Sequence, residues 1–171
     1  MTITLRPETE ADIPFLRTVY AGTRAEEMAL VDWPAEQKTA FVLSQFTFQR
    51  KHYLEHYSDA SFDIILCDEV PAGRLYVLRG EKAIHIVDIS LLPEFRGNGI
   101  GRHILQQLQA ESRAKGLLVS IHVEKFNRAL HLYQRLGFQI AGEQGPVYLY
   151  MEYRESALVR HTTGQAAAIA S

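Results

Sequence analysis

Pro93-Glu94-Phe95-Arg96-Gly97-Asn98-Gly99-Ile100-Gly101-Arg102 sets three glycines and two arginines between the end of an apolar run, Ile89-Ser90-Leu91-Leu92, and the start of a helical pattern. Without Cβ atoms a backbone can approach a ligand closely, and the N–H groups at a helix N-terminus point toward whatever anion lies there. The expected anion is a phosphate, with Arg96 and Arg102 adding positive charge around it. Two competing phosphate motifs fail on residue identity. A dinucleotide fingerprint needs glycine or alanine where Arg102 stands, and an ATPase P-loop needs Gly-Lys-Ser/Thr, which the segment lacks.

Downstream, Ile100, Ile104, Leu105 and Leu108 recur at helical spacing, predicting a helix from about Asn98 to Lys115 that Gly116 terminates. Leu117, Val119, Ile121 and Val123 then alternate as a strand. Upstream, residues 83–91 read as a strand whose apolar set, Ile84 and Ile86, then Val87, Ile89 and Leu91, slips by one residue near 86/87. A bulge or burial on both faces would produce that slip. Strand, helix and strand make a β-α-β unit, with parallel strands and a right-handed crossover.

Farther out, strands over 61–67 and 73–79 precede this unit as an antiparallel meander, turning at Pro71-Ala72-Gly73 and Gly80-Glu81-Lys82. After it come a short helix opened by Asn127 and stopped by Gly137, then strands over 138–142 and 147–153, the last with a free edge that would permit a homodimer. At the beginning, residues 2–6 alternate as an edge strand, and Thr9 with Asp12 resembles a capping box for a helix over 10–24. A second helix runs from Pro34 to about Tyr57, with Phe41, Gln45, Phe48 and His52 stacked on one side. The fold class is α/β (α+β), with helices flanking a mixed, mostly antiparallel sheet of about seven strands. Residues 1–155 form a single domain, and 156–171 an aperiodic tail.

Composition narrows the function. The chain has 171 residues, of which 47% are apolar and 22% charged, within the range of one globular domain. Eighteen basic against 20 acidic side chains leave a net charge of −2, too balanced for the basic face that nucleic acids require. The single cysteine, Cys67, allows no internal disulfide and agrees with a reducing compartment. Neither a long apolar run nor a signal-peptide layout is present, so a soluble, cytoplasmic protein without membrane or nucleic-acid partners is expected.

Arg96-x-x-Gly99-x-Gly101, following Leu91-Leu92-Pro93, resembles the acetyl-CoA signature of the GNAT N-acetyltransferase superfamily. Asn127-x-Ala129-x-x-x-Tyr133-x-x-x-Gly137-Phe138 is similar to that family's second motif. A Q/R-x-x-G-x-G/A match alone arises by chance in roughly one protein in five of this length, whereas both motifs in order, each on the predicted element, are specific. The match is densest over 83–138.

The resemblance implies acetyl-CoA as cosubstrate, no metal, and transfer of the acetyl group to a primary amine of a small molecule. Its pantetheine arm would lie between the splayed strands 83–91 and 117–123, pairing with backbone near Leu91 and Leu92. An N–H near Leu91 would serve the acetyl oxygen, an oxyanion-hole function. Arg96, Gly97, Asn98, Gly99, Ile100, Gly101 and Arg102 would hold the pyrophosphate, and Asn127 would approach the pantetheine while capping its helix. Tyr133 would protonate the departing CoA sulfur, although its place on an apolar helix face also suits plain packing. The glutamate many relatives use as base falls near Ala83, a departure; Glu81, His85, Asp88 and His122 are nearby alternatives, and Asp88, at the slip, is preferred. The family shapes its acceptor pocket from the first two helices, here Glu26, Glu27, Trp33, Gln45, Gln49 and Tyr53. Cys67, in a strand far from the loop, makes a poor acyl carrier, so transfer is direct, in a ternary complex.

Two other readings stand beside this one. A CoA-binding sensor or assembly module is favoured by Ala83 and disfavoured by Tyr133, because a sensor needs no leaving-group acid. His52-Tyr53-Leu54-Glu55-His56 has the H-x-x-E-H form of inverted zinc peptidases, but no third ligand is evident and solvated polar residues are the default.

Overall fold

The computed structural model describes residues 1–155; the expected tail lies outside the described residues. Seven strands form one sheet in the order β1-β2-β3-β4-β5-β7-β6: β1 (Ile3–Pro7), β2 (Ser61–Cys67), β3 (Val70–Arg79), β4 (Ala83–Leu91), β5 (Leu118–Glu124), β6 (Gln139–Gln144) and β7 (Tyr148–Tyr153). The helices are α1 (Ile13–Ala29), α2 (Ala35–His56), α3 (Ile100–Lys115) and α4 (Leu130–Arg135). The β4–β5 pair is parallel; the pairs β1–β2, β2–β3, β5–β7 and β6–β7 are antiparallel. The expected fold class is the observed one. No helix among the described residues is long and apolar enough to cross a membrane.

The chain groups into two compact units, one of residues 1–78 with 87–101 and the other of 79–86 with the residues from 102 onward. In the first, Leu16 and Tyr20 of α1, Phe46 of α2 and Ile64 of β2 form one core cluster, with Ile13, Phe15, Val42 and Leu66 packed around them. The expected apolar side of α2 is corrected here. Phe46 is 3% exposed, while Phe41 and Phe48 are 40% and 69% exposed. The buried side, through Val42, Phe46 and Gln49, lies one residue, about 100°, around the helix from the expected stack. Apolar residues occupy both sides of α2, so spacing could not choose; the Tyr20–Phe46 ring contact at 5.9 Å does.

The β2–β3 hairpin also departs from expectation. Its turn is the two-residue Asp68-Glu69, both at positive φ (48° and 68°), the geometry that suits the twist of a tight hairpin. Pro71, Ala72 and Gly73 lie within β3 instead. The register passes from Ile65↔Gly73 to Leu66↔Pro71, so Ala72 is the extra residue of a bulge that accommodates the proline. Gly73 is dictated by contact: a Cβ there would strike the Ser90 carbonyl oxygen and lie 3.0 Å from Leu91 Cα.

At the N-terminus the capping box forms around a single 3-10 turn, Glu10–Asp12, with the Thr9 N–H donating to Asp12 Oδ2 at 2.8 Å. Asp12 is also held by Arg6 through two 2.8 Å bonds.

In the second unit, α3 buries Ile104, Leu105 and Leu108, and its Gln109 amide donates to the Leu136 carbonyl at 2.7 Å. Gly116 at φ 65° and Gly137 at φ 92° end α3 and the α4 segment in the left-handed conformation that favours glycine. Asn127 does not open α4 directly: its Oδ1 accepts the Ala129 N–H at 2.8 Å in a turn, and the helix begins at Leu130. β7 pairs with β5 on one side and β6 on the other, so the free edge expected at 147–153 belongs to β6.

Candidate active site

β4 feeds the glycine-rich loop through a sequence of local bonds. Leu92 N–H donates to Ala72 O at 2.8 Å, Pro93–Phe95 makes one 3-10 turn, and Arg96 Nε folds back onto Leu91 O at 3.1 Å. Gly97 and Gly99 sit at φ 74° and 83°, and a Cβ on either would meet nothing within 4 Å. Conformation, not space, demands glycine there. Among the described residues, the N–H groups of Gly97, Asn98 and Gly99 donate to no backbone carbonyl, and those of Ile100 and Gly101 belong to the first turn of α3, which lacks intrahelical acceptors. Residues 96–99 and Arg102 are exposed. α1 admits the loop closely at Gly22, where a Cβ would lie 3.1 Å from Pro93 Cδ and 3.6 Å from Arg96 Nη2. Exposed backbone N–H groups without backbone acceptors, in a segment that also carries Arg96, are the donor set a diphosphate calls for.

The residues expected at the acceptor pocket, together with Asp88, the preferred base, separate into two sets. Gln49, Tyr53 and Asp88 are brought together by a residue that sequence reasoning missed, Arg74. Its Nη2 donates to Gln49 Oε1 at 2.7 Å and to Asp88 Oδ2 at 2.8 Å. Tyr53 OH donates to the same Asp88 Oδ2 at 2.8 Å, and Ser90 Oγ donates to Oδ1 at 2.7 Å. The Arg74 guanidinium also lies 5.2 Å from the Tyr76 ring centre, and Tyr76 OH donates to Glu8, which pairs with Arg50. Burial pushes the Tyr76 phenol above its ordinary value, so it stays a donor. The sequence carried a signal for Arg74: a charge in the middle of an apolar strand must find a buried partner. The remaining residues lie elsewhere. Glu27 pairs with Arg24 along α1, Trp33 packs edge-on against Phe41 at 5.5 Å, and Gln45 is half-buried on α2.

Tyr133 is buried on α4, 5.7 Å from the Phe138 ring centre. His52 and His56 stack at 4.2 Å, with His56 Nδ1 3.0 Å from the His52 carbonyl. Among the described residues, no three histidine, cysteine, aspartate or glutamate side chains are grouped as metal ligands.

β4 and β5 pair from Ala83↔Leu118 to Ile86↔Ile121. The described ladder thus ends where the alternation in β4 slips. Ala83, near which the family pattern places a glutamate, stands at the ladder's first pair.

No curated protein sequence matches the chain. Solved structures do. The PaiA N-acetyltransferase of Thermoplasma acidophilum, in complex with coenzyme A, is 15% identical with a TM-score of 0.66, over 91% of this chain and 100% of that one. An acetyltransferase from Thermus thermophilus is 20% identical with a TM-score of 0.66, covering 91% and 98%. A GNAT family acetyltransferase from Elizabethkingia anophelis with acetyl-CoA bound is 16% identical with a TM-score of 0.58, covering 90% and 98%. These likenesses carry the fold. The family model described as the acetyltransferase (GNAT) family matches residues 25–138, two thirds of the chain and both of the motifs quoted above, and the protein belongs to that family.

Proposed function

We propose that the protein transfers an acetyl group from acetyl-CoA to a primary amine of a small molecule, directly, within a ternary complex. The observation that carries this reading is the loop at Gly97–Gly99, exposed and with N–H groups that donate to no backbone carbonyl among the described residues, which with the neighbouring arginines suits the CoA diphosphate. The family match across residues of both compact units supports reading 1–155 as one acetyltransferase domain. A cytoplasmic location, with Cys67 as the single thiol, and a homodimer belong to the same reading.

When bound, acetyl-CoA supplies an activated acyl thioester. The amides of Gly97 to Gly101, with Arg96 and Arg102, would hold its diphosphate, and backbone groups at Leu91 and Leu92 would hold the pantetheine, with Asn127 beside it. An N–H near Leu91 would donate to the acetyl oxygen. Tyr133 would donate its phenolic proton to the departing sulfur. Gln49 and Tyr53, fixed through Arg74 and Asp88, are assigned to the acceptor side, while Glu27 and Trp33 have partners of their own and stand apart from them. Asp88 is assigned to positioning rather than to proton acceptance, because Arg74, Tyr53 and Ser90 already engage both of its oxygens.

Thiol release from acetyl-CoA with a panel of amines tests the reading, alongside calorimetry of CoA binding. Tyr133→Phe should lower turnover while CoA affinity holds. Unchanged turnover across pH would remove Tyr133 as the acid. Ala83, with no carboxylate at the start of the β4–β5 ladder, favours a second reading as an acyl-CoA sensor. CoA binding without thiol release from any amine would select it.

A further inference from the structure

β5 is apolar on one face, with Val119, Ile121 and Val123 all buried, and polar on the other, where Ser120 and His122 point. Neighbouring strands extend the polar face. His85 of β4 and Glu152 of β7 stand opposite Ser120, and Tyr150 of β7 stands opposite His122. His85 Nδ1 lies 2.8 Å from Ser120 Oγ, the His85 and His122 rings are 5.2 Å apart, and so are those of His122 and Tyr150.

The charges facing this group are accounted for. Glu152 accepts from Tyr150 OH at 3.0 Å and pairs with Arg154, and Glu124 lies two residues beyond His122 on β5. Burial holds both imidazoles below the ordinary histidine value, His85 at about 4 with the neighbouring His122 contributing, so both are chiefly neutral at pH 7. The pair straddles the end of the described parallel ladder: His85 is one residue before its last pair, Ile86↔Ile121, and His122 one residue beyond it.

We propose that His122 accepts the proton of the incoming amine, with His85, fixed on Ser120, holding its ring in place. The proposal rests on the acetyl-transfer reading above. An alkylammonium gives one proton to a ring nitrogen of His122. Its nitrogen bonds to the acetyl carbon as the carbon–sulfur bond breaks, and the sulfur keeps the electron pair and takes the Tyr133 proton. The second nitrogen proton returns to Tyr133 through solvent, and the imidazolium releases its own to water. In sum, ammonium and acetyl-CoA become amide, CoA thiol and one proton. Two features select His122 over Asp88: its aromatic neighbours leave a proton-accepting group in neutral form, and no cation is paired with it among the described residues.

Two arms test this. The first is carbethoxylation with diethylpyrocarbonate, read by peptide mass. His122 should react in the free protein and be protected by saturating acetyl-CoA, while the exposed His52 and His56, outside the segments assigned to CoA, react equally in both states. No reaction at His122 in the free protein, or an undiminished rate in protein that calorimetry shows to be CoA-bound, overturns the assignment. Absence of CoA binding would instead sink the acetyl-transfer reading itself. The second arm compares methylamine, an ammonium at neutral pH, with hydroxylamine, which is chiefly neutral there. His122→Gln should lower thiol release with methylamine by roughly 100-fold and with hydroxylamine far less, with the KM for acetyl-CoA unchanged. Equal losses with both would mark a structural role and overturn the proposal.

Discussion

Arg74 and Asp88 form an ion pair at 2.8 Å whose side chains are only 3% and 10% exposed. Removing one partner leaves the other charged, buried and without its counter-ion. Arg74→Met should therefore destabilise the protein by about 3 to 5 kcal/mol, whereas replacing Arg74 and Asp88 together with apolar residues should cost less than the sum of the two single changes. Urea melts of the four proteins measure the coupling. Additive losses would show that the pair does not act as a unit.

Gly73 and Gly99 are required for opposite reasons, and alanine separates them. At Gly73 a methyl group collides with the Ser90 backbone, so Gly73→Ala should destabilise strongly or prevent folding. At Gly99 the methyl group meets nothing, and only the positive φ resists, at about 1 kcal/mol. Gly99→Ala should fold, with a small drop in melting temperature and weaker CoA binding by calorimetry. Comparable melting temperatures for the two variants would contradict the geometry.

The orientation of α2 is tested by two phenylalanines two residues apart. Phe46→Ala should cost about 3 to 5 kcal/mol by removing the buried ring from the cluster it shares with Leu16, Tyr20 and Ile64, while Phe48→Ala should change stability by less than about 0.5 kcal/mol. Thermal unfolding of each reads the difference directly.

Acid should weaken both compact units through named carboxylates. Asp12 is held down to about 2 by its hydrogen bonds to Arg6 and the Thr9 N–H, and Glu111 to about 2 by those to Arg79 and Lys115. A carboxyl group depressed in the folded state contributes its full stabilisation above its unfolded value near 4 and loses it as pH falls toward 2. Urea midpoints should fall across that window. Asp12→Asn and Glu111→Gln should each make the fall shallower.

Much of this was legible in the sequence, and what was not has physical causes. The loop at 97–101, the β-α-β unit and α3 follow from glycine placement and a single unambiguous apolar stripe. The buried side of α2 did not, because Phe41, Phe46 and Phe48 offer two competing faces and only the partner in α1 decides between them. The hairpin at Asp68-Glu69 was hidden because neither residue advertises a positive φ as glycine does, while Pro71 and Gly73 shortly after it do draw a turn reading. Gln49, Tyr53 and Asp88 were each legible as separate candidates. Their union was not, since it depends on a guanidinium in β3 whose partners lie 25 residues before it and 14 after it in the chain.

That guanidinium also limits how freely the enzyme can be re-tailored. A graft that exchanges α2 for a foreign helix removes Gln49 and Tyr53 together and strands Arg74 with half its partners. Libraries that randomise the outward residues of α2 while keeping those two positions fixed should yield folded variants far more often than libraries that swap the helix whole.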